Sequence, residues 1–107
     1  MKDIRKLIKE RVLVIDGAMG TMIQSMIIPM DAWKGKVGCN EILNIGAPDI
    51  IRSIHEKYAQ AGADLIKTNT FGAIPWVLDE YGISDMAYQL SKAGAQLVKQ
   101  VCDKYST

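Results

Sequence analysis

The sequence has no long hydrophobic run and few of the residues that build metal centres or disulfide frameworks. No stretch approaches the ~20 apolar residues that a membrane-spanning helix needs. The 107 residues include two cysteines, one histidine and three prolines. Because Cys39 and Cys102 match no metal-binding spacing, we expect free thiols in a cytoplasmic protein, with a disulfide as the alternative.

An excess of charge of one sign is also missing. The 13 basic residues nearly balance the 12 acidic residues, and the net charge is +1. The sequence therefore gives no electrostatic case for a nucleic acid or a membrane as a partner. Hydrophobic residues make up 49% and charged residues 23% of the chain, which is typical of a globular protein. Its length predicts one domain, covering residues 1–107.

Two apolar segments are the most informative features that are present. The first segment, residues 12–16, reads Val-Leu-Val-Ile-Asp, and the second segment, residues 65–68, reads Leu-Ile-Lys-Thr. An apolar run without alternation predicts a strand that is buried on both faces, as in a parallel sheet. Polar groups just past the carboxyl end of such a strand lie where α/β proteins bind ligands. The two segments therefore predict part of a ligand site.

Helices are predicted around these two strands. A short amphipathic helix is expected at the N-terminus, with Ile4 on its apolar face. Pro48 suits the first position of a longer helix, and Gly62 suits its end. A second long helix is predicted from residue 86 to about residue 105, with Ser84 as its N-cap.

The order of these elements predicts an α/β protein. Residues 27–47 show no sustained period and are predicted to form a long loop after the first strand. The remaining pattern is strand–helix–strand–helix, which is two βα units with parallel neighbouring strands. Two parallel strands do not make a stable sheet alone, so the pattern predicts that such a fold needs further strands.

Asp16 and Gly17 follow the first strand and are candidate substrate-binding residues. A carboxylate at this point can accept hydrogen bonds from a substrate ammonium group, and glycine lets a ligand approach the backbone closely. The alternative is that Asp16 caps the turn that follows it.

The second strand ends in Thr68, Asn69, Thr70 and Phe71, which are the other candidate substrate-binding residues. The three polar side chains offer donors and acceptors to a ligand, and a hydrogen-bonded turn is the alternative. Phe71 either lines a pocket or packs within the protein.

No catalytic constellation is evident from the sequence. His55 lies mid-helix, where a surface or packing role is expected. With one histidine, two distant cysteines and no acid pair, we predict no catalytic residue and no metal ligand. An aldolase-like enzyme would need a Schiff-base lysine, and Lys67 is its one candidate.

Several motifs, taken together and in order, resemble a known family. Residues 11–24, Arg-Val-Leu-Val-Ile-Asp-Gly-Ala-Met-Gly-Thr-Met-Ile-Gln, are similar to the opening of the homocysteine S-methyltransferase domain. Residues 39–45 with Pro48 and Asp49 resemble, in particular, the cobalamin-dependent methionine synthase branch of the family. Residues 55–58 and 61–73 continue the resemblance, which covers nearly the whole chain.

The resemblance implies a fold, an activity and a site. The fold would be a (β/α)₈ TIM barrel, of which this chain would be the N-terminal fragment, with its first two βα units. The activity would be that of a methyltransferase that transfers a methyl group to zinc-activated homocysteine to give methionine. Asp16 and Gly17 would hold the amino-acid end of homocysteine, and residues 68–71 would lie near the same ligand.

The resemblance also implies cofactors that this chain is not expected to bind. Zinc and cobalamin belong to the full-length enzyme of this family, and the zinc-ligand motifs are missing from this sequence. The chain is therefore predicted to be inactive alone. The alternative is a non-catalytic, truncated barrel module that buries its open edges by self-association, as a homo-oligomer or by strand exchange.

Overall fold

The computed structural model describes residues 3–106, so Met1, Lys2 and Thr107 of the predicted domain lie outside the described residues. Residues 3–106 are mainly helical and form six α-helices. The helices are α1 (Ile4–Glu10), α2 (Gly20–Gln24), α3 (Leu43–Gly46), α4 (Pro48–Gln60), α5 (Pro75–Leu78) and α6 (Ala87–Tyr105). Short 3₁₀ turns cover Met30–Trp33, Asn40–Ile42, Asp79–Tyr81 and Ser84–Met86. Among the described residues, no helix is both long enough and apolar enough to cross a membrane.

The predicted α/β fold is wrong. Residues 3–106 contain no β-strand and no sheet, so they are not the first two βα units of a TIM barrel. The two apolar segments do run side by side, but they form a single parallel bridge between Ile15 and Leu65. The first segment is also not buried on both faces as predicted, because Val12 is 86% exposed and Val14 is 57% exposed.

Two aspartate side chains explain why this bridge does not grow into a ladder. The backbone bonds of the bridge run from Asp16 N to Leu65 O, 2.9 Å, and from Leu65 N to Val14 O, 3.2 Å. On one side the Val14 N–H donates to the Asp64 carboxylate, 2.9 Å. On the other side the Lys67 N–H donates to the Asp16 carboxylate, 3.2 Å. Since a parallel ladder needs backbone carbonyls at these positions, the pairing ends after one rung.

The helices begin and end largely where the sequence predicts. Pro48 is the first residue of α4, and Gly62 follows its end with φ +102°, a conformation that favours glycine. α1 also forms as predicted, with the Asp3 carboxylate accepting a hydrogen bond from Arg5 N. The N-cap prediction for Ser84 is wrong, because Ser84 lies in a 3₁₀ turn and Met86 precedes α6 without a side-chain cap.

The region predicted as a long loop contributes to the core instead. Residues 27–47 contain two 3₁₀ turns and α3. Their apolar side chains are fully or almost fully buried at Cys39, Ile42 and Leu43. They pack with Ile51 and Ile54 of α4, Leu78 of α5, and Leu90 and Leu97 of α6. This packing places residues 39–44 beneath the second segment and so positions the candidate site.

Candidate functional site

Asp16 is the one charged residue of the predicted site, and it is buried. Its side chain is 2% exposed, and its carboxylate accepts a hydrogen bond from Lys67 Nζ at 2.6 Å. The same carboxylate accepts from the Lys67 backbone N–H. That backbone group belongs to the second segment rather than to the turn that follows Asp16. Within residues 3–106 the carboxylate accepts hydrogen bonds from Lys67 alone, so it does not cap the turn that follows Asp16, and its substrate-binding role stays a prediction.

Gly17 is exposed and lies against an aromatic ring. A Cβ atom at Gly17 would lie 3.1 Å from the hydroxyl and 3.2 Å from Cε1 of Tyr58. The Tyr58 hydroxyl donates a hydrogen bond to the Ala18 carbonyl. Tyr58 of α4 therefore fixes the backbone that follows the first segment, and the absence of a side chain at Gly17 makes room for it.

Asn69 belongs to a buried network of amide groups. Its side-chain nitrogen donates to Asn44 Oδ1 and to the Asn40 carbonyl, both at 3.0 Å. The Asn44 side-chain nitrogen donates to the Asn69 carbonyl at 2.8 Å and to the Leu90 carbonyl at 3.2 Å. These bonds tie the end of the second segment to α3 and α6. They use both N–H groups of Asn69, so the described geometry gives this side chain an internal role.

The two threonines and Phe71 lie on the outside of this network. Thr68 is exposed, and its hydroxyl lies 2.6 Å from the Thr70 hydroxyl. The Phe71 ring is fully exposed. Gly72, which follows, donates its N–H to the Glu41 carboxylate at 3.2 Å. The described structure thus offers one hydroxyl pair and one aromatic ring to solvent beside the second segment.

His55 is buried beside this region. It is 0% exposed, and neither ring nitrogen has a hydrogen-bond partner among residues 3–106. Burial lowers the pKa of His55, and the negative charge of Asp16 opposes this with a smaller effect. Of the two roles expected for His55, packing is confirmed and a surface position is not.

Metal binding finds no support in the described residues. No group of three His, Cys, Asp or Glu side chains in residues 3–106 is placed to hold a metal ion. Cys39 and Cys102 are free, so the thiol prediction is confirmed over the disulfide. Burial is the main cause of the raised pKa of Cys39. Since a zinc ligand must be a thiolate, this thiol is poorly suited to the metal.

Sequence reasoning did not identify the residues that contact three of the candidates. Asn44, Tyr58 and Lys67 supply the partners of Asn69, Gly17 and Asp16. No local pattern identifies such partners, because 25 residues separate Asn44 from Asn69 and 51 residues separate Asp16 from Lys67. A polar residue between apolar neighbours, Asn44 between Leu43 and Ile45, was an available signal.

A groove lies apart from these residues. It has a volume of about 720 Å³ and runs between α1, the start of the second segment and the end of α6. None of the six predicted substrate-binding residues lines it. Its walls include Ile4, Leu13, Leu65 and Tyr105.

The chain is similar to proteins of known family. The model of the family described as homocysteine S-methyltransferase matches residues 13–107. A methionine synthase of Mycobacterium leprae is 43% identical over 105 residues, which cover 98% of this chain and 9% of that protein. A methionine synthase of Mycobacterium tuberculosis is 42% identical over 102 residues, which cover 95% of this chain and 9% of that protein.

The chain thus spans about a tenth of the length of the curated relatives that it matches. The family and these relatives are methyltransferases. The family match begins at Leu13, within the first segment, and includes all six of the predicted substrate-binding residues. This chain therefore belongs to the homocysteine S-methyltransferase family.

Proposed function

We propose that this chain supplies part of the homocysteine site of a methionine synthase and is inactive alone. In the full-length enzyme, a methyl group passes to the sulfur of homocysteine to give methionine. The observation that carries the proposal is the Asp16 carboxylate, which is buried and binds the ammonium group of Lys67 at the point where the two segments meet. Family membership supplies the identity of the ligand.

In this proposal five of the six candidate residues have a binding role, and Asn69 has a positioning role. Asp16 accepts hydrogen bonds from the amino group of homocysteine, and Gly17 leaves its backbone open to the ligand. Thr68 and Thr70 offer hydroxyl groups to the ligand, and Phe71 covers its apolar part. Asn69 holds the second segment in place through the amide network.

Zinc and cobalamin are implied for the full-length enzyme by the relatives. The described residues do not fit zinc, since no cluster of ligands is present among them. We therefore propose that zinc is bound outside this chain, and the family resemblance implies the same for cobalamin. The free cysteines support a cytoplasmic location.

Binding of L-homocysteine to the 107-residue chain, measured by NMR titration under reducing conditions, tests the proposal. We expect Asp16→Asn to weaken binding by about tenfold, because the variant loses a charged hydrogen-bond acceptor. Asp85→Asn, on an exposed 3₁₀ turn, is the matched control and should bind as the unaltered chain does. Equal binding by the Asp16 and Asp85 variants would contradict the role of Asp16.

The predicted inactivity has a separate test. The chain is incubated with zinc, homocysteine and methylcobalamin, and methionine is measured. We expect no methionine and no tight binding of zinc. Turnover or tight zinc binding by the chain alone would contradict this part of the proposal.

A second candidate function is a self-associating module without catalytic activity. Exposed apolar side chains favour it, because Val12, Ile15, Ile27 and Phe71 are between 54% and 100% exposed. Such surfaces are often covered by a partner. Sedimentation at several concentrations gives the mass in solution, and a monomer at every concentration would exclude this candidate.

A further inference from the structure

Three oxygen atoms from the first segment and the turn that follows it surround the Lys67 ammonium group. Lys67 Nζ lies 2.6 Å from Asp16 Oδ1, 3.0 Å from the Asp16 carbonyl oxygen and 3.4 Å from the Gly17 carbonyl oxygen. A primary ammonium group has three N–H donors. The three oxygens therefore form a matching set of acceptors for one such group.

The two partners of this ion pair differ sharply in their freedom to move. The Asp16 side chain is 2% exposed, whereas the Lys67 side chain is 54% exposed. The Asp16 carboxylate is also held by the Lys67 backbone N–H, which stays in place when the side chain moves. The lysine ammonium can thus leave for solvent, while the acceptors remain fixed.

We propose that Lys67 is a specificity-determining residue that acts as a tethered competitor for the amino group of an amino-acid ligand. Its ammonium group occupies the position that the ligand's ammonium would take at Asp16, so binding requires the lysine side chain to swing out. This inference rests on the proposed function for the identity of the ligand. The ammonium-binding position itself rests on the three oxygen distances and on the burial of Asp16.

A tethered competitor has a definite effect on selectivity. Because Lys67 is part of the same chain, its effective concentration at Asp16 is high, and a simple amine displaces it poorly. A ligand that makes additional contacts offsets this competition. Lys67 therefore lowers the affinity for a simple amine. Tight binding then depends on additional contacts that the rest of the ligand makes.

Chemical rescue tests the ammonium-binding position without homocysteine. Lys67→Ala leaves the Asp16 carboxylate buried without its charged partner, so the variant should melt at a lower temperature. Ethylammonium should raise that melting temperature by filling the vacated position. Tetramethylammonium, which has no N–H group, should not do so at equal ionic strength.

Two further variants make the rescue specific. Lys92→Ala, at an exposed position on α6, should show no difference between the two ammonium ions. Adding Asp16→Asn to Lys67→Ala should abolish the rescue. If Lys67→Ala does not fold, Lys67→Met takes its place in the test, because methionine retains the apolar stem of the side chain. A rescue that is absent, or that persists without the Asp16 carboxylate, overturns the proposal.

Homocysteine titration then tests the competition. Lys67→Met should bind L-homocysteine about tenfold more tightly than the unaltered chain, because one charged hydrogen bond no longer has to break. The affinity for γ-mercaptobutyrate, which lacks the amino group, should be the same in both proteins. Equal homocysteine affinity in both proteins overturns the competition while the proposed function stands. Rescue by ethylammonium without any homocysteine binding supports the ammonium-binding position and contradicts the proposed function.

Discussion

The Arg11 guanidinium binds the Asp64 carboxylate through two hydrogen bonds, one of 2.9 Å from Nη1 and one of 2.6 Å from Nη2. The same carboxylate accepts the Val14 N–H. One side chain thus joins the residue before the first segment to the residue before the second. This relationship keeps the two segments in register although they share a single backbone bridge.

The Arg11–Asp64 pair predicts a loss of stability in acid. Hydrogen bonds from Arg11, followed by the one from Val14, lower the pKa of Asp64 from 3.8 to about 2. A lowered carboxyl pKa stabilises the folded state above pH 3.8, and this contribution is lost as the pH falls from 3.8 to about 2. Melting temperatures between pH 2 and pH 5 should therefore fall less steeply for Asp64→Asn than for the unaltered chain. Asp103→Asn, which breaks an exposed ion pair with Lys99, should leave the steep fall in place.

The amide network predicts a large effect of a single core substitution. Asn44→Leu removes the donor for the Asn69 and Leu90 carbonyls and the acceptor for the Asn69 side chain. Leaving buried polar groups without partners costs about 1–3 kcal/mol, so we expect the free energy of unfolding to fall by that amount. Urea denaturation measures it. Gln96→Leu, at an exposed position of α6, is the control and should change stability little. Equal stability of the two variants would contradict the network.

His55 predicts a dependence of stability on pH near neutrality. Burial lowers its pKa below the ordinary value of 6.5, so the unfolded chain binds more protons than the folded chain as the pH falls. Stability should therefore be greatest above pH 6.5 and decline below it. Because His55 is the sole histidine, His55→Leu should remove this slope between pH 7 and pH 5. Asp16 is the charged group that raises the pKa of His55, so Asp16→Asn should lower the folded-state pKa further and extend the decline to a lower pH.

Gly46 predicts a strict requirement for a small residue. A Cβ atom there would lie 1.7 Å from the Ala32 carbonyl oxygen and 2.8 Å from its carbonyl carbon. Since backbone atoms cannot move away easily, Gly46→Ala should destabilise the protein by about 1–3 kcal/mol. Gly20→Ala is the matched control, because its nearest neighbour would be 3.8 Å away. We expect that variant to be as stable as the unaltered chain or slightly more stable. Similar melting temperatures for the two variants would contradict the close approach at Gly46.

The two long helices, α4 and α6, were predictable because their signals are local. Pro48 and Gly62 mark the ends of α4, and the apolar spacing of α6 predicts its length to within one residue. The strands were not predictable because their formation depends on partners. The apolar composition of the first segment favours a strand, yet its ladder ends where the Asp16 and Asp64 side chains replace backbone carbonyls.

The sequence identified candidate site residues but not their contacts. The placement of Asp16 and Asn69 at the ends of apolar segments identified them, and both are buried and bonded. Their partners, Lys67 and Asn44, come from packing, which brings together residues far apart in the chain. The binding role of Asp16 stays a prediction, which the homocysteine titration tests.

The sequence by itself determined the ends of α4 and the family, because these depend on short-range pattern or on ordered motifs. The tertiary structure alone decided that the two apolar segments form one bridge and that the Asp16 carboxylate is occupied by Lys67. The physical reason is that a hydrogen bond requires two partners in contact. The sequence identifies one of them, and only the fold brings the other within reach.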